Sequence, residues 1–417
     1  MTKVAALLLA LFGCSARPAP APVSTPAPAS QRTPCADDEF GSTAVSFTLR
    51  HADLRARGAS RELLSKLAQN PYVYFRAVAR PYELRTCAAF RDERWHLPLV
   101  AIHADAHLEQ FVVTPTSAGL EDFDQSAYGP AVVDLVRYAA SIRLACRGAA
   151  FDCDAERAVG AYFDAYRSAL DHQSVRAVPS IVERLRRDRP TEPLAWLAWA
   201  EGLFRPLHED VERRARRGWR EFRDLDLGLH PERQSNDYEI VRIGRLEMGV
   251  GSVLETKLLL RLRGPTADPA DDVVVEARAQ STTHGKSCAS RPQHGGALQP
   301  LMFMSLLGPR LPSVFGFAPL GGDEAPEYWV VSWTPGYREL SIQDLQSERE
   351  LIELAEHAAH QLAGHFWTRF PEELRAIQRQ AQLRAFDRTV SRARAVSRTF
   401  ADETISAWQQ FRAELAR

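Results

Sequence analysis

The stretch from Leu99 to Ile142 limits what this chain can fold into more than any other. It reads LVAIHADAHLEQFVVTPTSAGLEDFDQSAYGPAVVDLVRYAASI: an apolar run delivering His103, Asp105 and His107, a turn, a second acidic cluster at Asp122 and Asp124, and a helical pattern. If the first run continues as a strand, His103, Asp105 and His107 alternate with Ile102, Ala104, Ala106 and Leu108, and the three polar side chains share one face. Carboxylates gathered in this way repel one another and rise in pKa unless they share a cation. The pattern therefore points to a divalent metal or to proton transfer. For any single histidine the competing reading is a buried ring hydrogen-bonded to a backbone carbonyl.

The 417 residues, 45% apolar and 25% charged, suffice for one large or two modest domains. A formal net charge of -1 supplies neither a nucleic-acid groove nor a polybasic membrane patch, so no nucleic-acid partner is expected. Lys3 followed by the apolar run Val4 to Phe12 reads as a signal peptide, too short to span a bilayer. Leu11-Phe12-Gly13-Cys14 resembles the bacterial lipobox, so 1–14 is expected to be a lipoprotein signal with Cys14 lipidated. The Pro/Ala-rich segment 15–35 reads as an extended tether. The expected location is the cell envelope, lipid-anchored to a bacterial membrane outside the cytoplasm. Disulfides persist there. Cys146 and Cys153, in CRGAAFDC, suit a local bridge, Cys35 could reach Cys87, and Cys288 is left odd.

Ala52 to Gln69 is an amphipathic helical pattern stopped by Asn70-Pro71. In PYVYFRAVARPYELR, Arg76 and Arg80 stand four apart and read as a solvated or ion-paired helix face, with an anion site as the alternative, and Trp95 to Ile102 reads as a strand. Cys146 to Gly228 reads as helices: Ala155 to Leu170, Ile181 to Arg187, Leu194 to Leu207 with Trp196 and Trp199 toward the core, and a basic run from Arg213 to Arg220 balanced by nearby acids. From Ser235 alternation takes over, in EIVRIGRLEMGVGSVLETKLLLRLRG and DDVVVEARAQ. A hairpin at Gly249, Gly251 and Ser252 would let backbone N–H groups approach a phosphate. EYWVVSWTPGYREL looks like a pair of sheet edges with a hinge, and His284, Lys286, His294 and Gly295 lie in a polar loop. Helices are expected at Gln346 to Gly364 and Pro371 to Leu415.

ADAHLEQF together with LEDFDQSAYGPAVVDLVRYAASI resembles the bacterial family catalogued as domain of unknown function 2252, whose members carry GDAHLxNF, DFD and GPxxxDLxRLAxS segments. NPYVYFRAVARPY resembles the family's upstream SPFAFYRG. That family is grouped with the protein-kinase-like and aminoglycoside-phosphotransferase-like proteins. The resemblance implies an α+β, two-lobed kinase-like fold: a helical lobe at 36–234, an antiparallel sheet lobe at 235–345, and C-terminal helices at 346–417 completing the helical lobe. Carried over, Asp105 matches the catalytic base, Gln110 stands where a metal-binding Asn would be, and Asp122, with Asp124, matches the metal-binding Asp. Asp134 and Arg137 match the helix that supports the loop, with His103 and His107 beside it. Gly249, Gly251 and Ser252 match a phosphate-binding hairpin that precedes a KEA strand. Here Glu276 and Ala277 follow Val275, where the family has lysine, so Lys257 or Arg278 would have to approach from another direction. An ordinary kinase presents the glycine hairpin first; the reversed order implies circular permutation, with the C-terminal helices packed on Trp95 to Ile102.

Three functions are compatible with these features. The first is a phosphotransferase-related protein using Mg with ATP, or a degraded relative that binds a small molecule or a protein; Ala104, Gln110 and Val275 weigh against turnover. The second is a hydrolase with Zn held by His103, Asp105, His107 and Asp122. The third is a lipid-anchored envelope scaffold.

Overall fold

Capping residues divide the N-terminal region into short helices. The computed structural model describes residues 43–171, 177–188, 190–229, 238–246, 257–279, 287–290, 298–310, 312, 314–318, 320–321, 328–364 and 372–415. Cys14, Cys35, Gly249, Gly251, Ser252, His284, Lys286, His294 and Gly295 lie outside the described residues, as do the expected signal peptide and tether. The single helix expected from Ala52 is two, α1 (His51–Ala56) and α2 (Arg61–Gln69), because Gly58 adopts a φ of 88° between them. Ser60 caps α2 by accepting from the Leu63 N–H, and Asn70 caps α3 (Pro71–Arg76) by accepting from the Val73 N–H. After α4 (Ala79–Ala89), the charged run Arg91–His96 forms a 3-10 turn, so the expected strand begins only at β1 (Leu99–Ile102).

The chain continues through β2 (Phe111–Val113), β3 (Ala118–Leu120), β4 (Ala127–Pro130), α5 (Val132–Gly148), α6 (Ala155–Asp171), α7 (Ser180–Arg186) and α8 (Pro193–Glu201). There follow β5 (Phe204–Arg205), α9 (Glu209–Leu229), β6 (Ile240–Leu246), β7 (Lys257–Leu262), β8 (Val273–Ala279), α10 (Leu298–Leu307), β9 (Phe315–Ala318), β10 (Tyr328–Ser332), β11 (Arg338–Glu339), α11 (Glu348–Gly364) and α12 (Glu372–Leu415).

Every residue of α5 from Val132 to Ala145 is buried, which requires a sequence apolar around its whole circumference. The polar exceptions have partners: Asp134 and Arg137 serve the loop described below, and Arg143 pairs with Glu156 of α6. The 44-residue α12 lines this core with Phe386, Ala393, Phe400, Ala401 and Phe411. The C-terminal helices pack chiefly on α5 and α6 rather than on the strand itself, whose hydrogen-bonding partner is β4; α12 reaches the entry to β1 at Leu97 and Pro98.

Six antiparallel strands form the main sheet, in the order β5-β6-β7-β8-β10-β9. Alternation on β8 sends Val275 and Ala277 to the face covered by Trp219 of α9, and Val274 to the face covered by Trp196 and Leu197 of α8. The basic run on α9 is ion-paired, as in Arg216 with Glu212 at 2.8 Å. The helix expected to reach Leu207 stops at Glu201, and Phe204–Arg205 pairs with β6. The sheet thus extends outside 235–345, and β11 pairs instead with β2, in a three-stranded sheet with β3. Asp38–Arg417 forms one compact unit. No described helix is long and apolar enough to cross a membrane.

Cys87 is bonded to Cys288, which corrects the Cys35–Cys87 pairing: the segment after β8 lies against α4, and Ser290 bridges to Tyr128 of β4. Cys146 is bonded to Cys153. By loop-closure entropy the first bond, closing 201 residues, is worth about 5 kcal/mol and the second, closing seven, about 2 kcal/mol. Urea unfolding is therefore expected to show a larger loss for Cys87→Ser than for Cys146→Ser; the opposite order would refute the assignment of Cys87–Cys288 as the main covalent tie.

Candidate functional site

The strand ends before the polar cluster that it was expected to carry. Ala104 adopts a φ of 61°, so β1 stops at Ile102 and the shared face of His103, Asp105 and His107 does not form. The turn is held by α5. Asp134, Arg137 and Ser141, spaced i, i+3 and i+7, lie on one helical face and meet the turn in sequence. Asp134 accepts from the backbone N–H groups of His103 and Ala104 at 2.8 and 2.7 Å, Arg137 pairs with Asp105, and the Ser141 hydroxyl accepts from the Leu108 N–H at 3.4 Å. Burial pushes the Asp134 carboxyl up to about 6, although His103 and the two N–H groups pull the other way.

The three polar side chains go to three places. The His103 Nε2 lies 2.7 Å from the Glu121 carbonyl oxygen and ties the turn to the second acidic segment. Asp105 is buried against Arg137, whose guanidinium lies 4.1 Å from the Phe75 ring centre and 5.1 Å from that of Tyr82. Burial raises the Asp105 pKa despite Arg137 and His103. Gln110 donates from Nε2 to Asp105 Oδ2 at 3.4 Å. His107 meets Tyr72 and Phe75 edge-on, and burial together with Arg76 and Arg137 holds its pKa well below the usual range, leaving the ring neutral.

Asp122, itself at a φ of 71°, pairs with Arg278 of β8, 156 residues away in sequence. The same guanidinium donates from Nε to Glu276 at 2.6 Å. Lys257 Nζ lies 3.7 Å from the other side of that contact, on Glu276 Oε1, and the Trp333 indole donates to Glu276 Oε2 at 3.0 Å. The β7–β8 register sets Lys257 opposite Arg278, which brings both cations to the face of Glu276 and answers the question of direction left by Val275. Burial acts to raise both carboxyls, but Arg278 and then Lys257 hold Asp122 and Glu276 below their ordinary values. Asp122, Glu276, Arg278 and Trp333 line a narrow cleft of about 20 Å³ with Glu121, Arg310, Trp329 and Tyr337. Asp124 is half-buried on the 3-10 turn Phe123–Gln125 and adds to the negative field at Arg278.

Other partners were not legible in the sequence. Arg76 and Arg80 fall on separate helices: Arg76 donates to Glu109 at 2.8 Å, and Arg80 pairs with Glu83. Glu109 in turn accepts from the Ile342 N–H at 3.0 Å, and Glu121 pairs with Arg310 at 3.0 Å. Only the alternation of VVVEARA, which puts Glu276 and Arg278 on one face, signalled part of this network.

The donors do not fit a metal. Among the described residues no three His, Cys, Asp or Glu gather into a ligand set. The proposed Zn set is dispersed, because His103 faces a backbone carbonyl and His107 an aromatic pocket. The Mg set of Asp122, Asp124 and Gln110 is compromised by Arg278 on the Asp122 carboxylate and by the Gln110 amide, which faces Asp105.

A family model described as an uncharacterized protein conserved in bacteria (DUF2252) matches residues 59–219. The match covers less than half of the chain. No curated protein and no solved structure matches the chain. The matched region holds the α3 aromatics, the β1–α5 turn and the stripe on α5, whereas Lys257, Glu276 and Arg278 lie outside it. One departure from the DUF2252 pattern has a physical consequence: Ala104 stands where GDAHLxNF has glycine, at a left-handed φ. Ala104→Gly is expected to stabilise the protein by about 0.5 to 1 kcal/mol in urea unfolding. Unchanged or lower stability would exclude the left-handed turn.

Proposed function

We propose that this protein is a kinase-like, phosphotransferase-related member of the cell envelope that binds a nucleotide between the helical body and the six-stranded sheet. One observation carries the reading: the acidic turn and the sheet meet through Asp122, Arg278, Glu276 and Lys257. Kinase-like sites likewise set a carboxylate-bearing loop opposite a lysine–glutamate ion pair, although there the glutamate comes from a helix, whereas here both partners are on the sheet. Circular permutation accounts for the reversed order, with α11 and α12 returning to α5 and α6. Gly249, Gly251 and Ser252, which lie outside the described residues, are the ones the resemblance assigns to the phosphates, and Asp105 would orient an acceptor hydroxyl.

Several features favour binding over turnover. Asp105 is engaged by Arg137, Val275 faces the Trp219 core where the family has lysine, and Gln110 replaces the Asn. The hydrolase reading has no comparable support, since its histidines point to different partners.

ATP supplied with Mg at about 100 times its Kd is expected to stabilise the protein by about 2.7 kcal/mol. The corresponding rise in thermal midpoint should disappear in Lys257→Ala. If the wild-type protein shows no rise, the nucleotide reading fails and the scaffold alternative stands. Anchoring through Cys14 is also proposed, on the lipobox resemblance. Cys14→Ser is expected to move the protein from the membrane to the soluble fraction; unaltered fractionation would remove the anchor from the account.

A further inference from the structure

We propose that Arg278 is the resident cation of this site, occupying the place between Asp122 and Glu276 that a divalent ion would take, so that ligand binding here needs no metal. The inference rests on the kinase-like reading and replaces the Mg which that reading would otherwise bring.

The geometry is that of a bridge. Asp122 comes from the turn of the helical body and Glu276 from the sheet, and one guanidinium pairs with both. An arginine can do this because its donors are fixed in a planar fork, with Nε toward one carboxylate and a terminal nitrogen toward the other. A hard divalent ion would need the same carboxylate oxygens. It would also have to enter beside Lys257, 3.7 Å from Glu276.

The neighbouring acids are engaged as well, Glu339 by the Tyr337 hydroxyl at 3.3 Å. Asp105 is paired with Arg137, Glu109 with Arg76, and Glu121 with Arg310. The three carboxylates that line the cleft, Glu121, Asp122 and Glu276, thus each have an arginine from the chain itself. Electrostatic compensation that other sites obtain from an ion is built into the fold, and Arg278 is the member that joins its two halves.

The test uses the full chain and two probes. In the first, Mn2+ is titrated and followed by electron paramagnetic resonance. Wild-type protein is expected to show no saturable binding, whereas Arg278→Gln, which leaves Asp122 and Glu276 without their bridge, should bind one Mn2+ per chain and lose it again when Asp122→Asn is added. Saturable binding by the wild type that Asp122→Asn removes would overturn the proposal, as would a folded Arg278→Gln chain that takes up no Mn2+. If Arg278→Gln does not fold, Arg278→Met, which also removes the charge but keeps an aliphatic stem of similar length, takes its place, and the same Mn2+ uptake is expected of it. In the second, the thermal shift given by ATP is compared in EDTA and in Mg2+. A shift that survives EDTA supports the proposal. A shift that vanishes in EDTA overturns it while leaving the nucleotide reading intact. Absence of a shift in both buffers removes the nucleotide reading, and the Mn2+ titration still decides which cation the carboxylates hold.

Discussion

Asp134 and Arg137 stand one turn apart on a helix that is buried from Val132 to Ala145, and through them the site acquires its shape. Asp134 takes the two N–H groups of the left-handed turn and Arg137 takes the carboxylate that follows. Because α5 is enclosed by α4, α6 and α12, these side chains cannot relax toward water, and the turn inherits the rigidity of the core. Breaking a buried pair such as Asp105–Arg137 by removing one partner leaves an uncompensated charge, typically at a cost of about 3 to 5 kcal/mol. The aromatic segment before α4 completes the support, since Phe75 and Tyr82 cover the guanidinium and Tyr72 with Phe75 close over His107.

On the opposite wall the sheet contributes charge by simple alternation. Val275 and Ala277 face the Trp219 core, and the residues between and after them, Glu276 and Arg278, face the cleft. A lysine in place of Val275 would have to be buried against Trp219. The cationic function falls instead to Arg278, and to Lys257 across the register. The result is a cleft whose acids are matched by arginines, which explains how so many carboxylates coexist where the sequence suggested a shared metal.

Much of this was legible. The change from helical to strand periodicity near residue 235 and the two long C-terminal helices follow from patterns of period two or 3.6, and the supporting role of Asp134 and Arg137 is what the family resemblance implied. The spacing of Asp134, Arg137 and Ser141 was also present in the sequence, as a polar stripe on an otherwise apolar helix. The shared face of His103, Asp105 and His107 failed because a single left-handed residue, Ala104, cancels the alternation on which it depended. The helix through Leu207 failed for a tertiary reason: Phe204–Arg205 finds a strand partner in β6.

By itself the sequence determined which residue types stand at the ends of strands and helices, and with them the match of residues 59–219 to the DUF2252 model. These are local properties, set by periodicity, capping and short motifs. Only the tertiary structure decided that Asp122 meets Arg278 across 156 residues, that Cys87 meets Cys288 across 201, and that His103 and His107 turn to different partners. An ion pair or a disulfide between distant segments depends on how sheet and helices pack, and no local pattern encodes that distance. What began as an acid-rich strand end is, in three dimensions, a turn clamped by one buried helix and bridged to a sheet by one arginine.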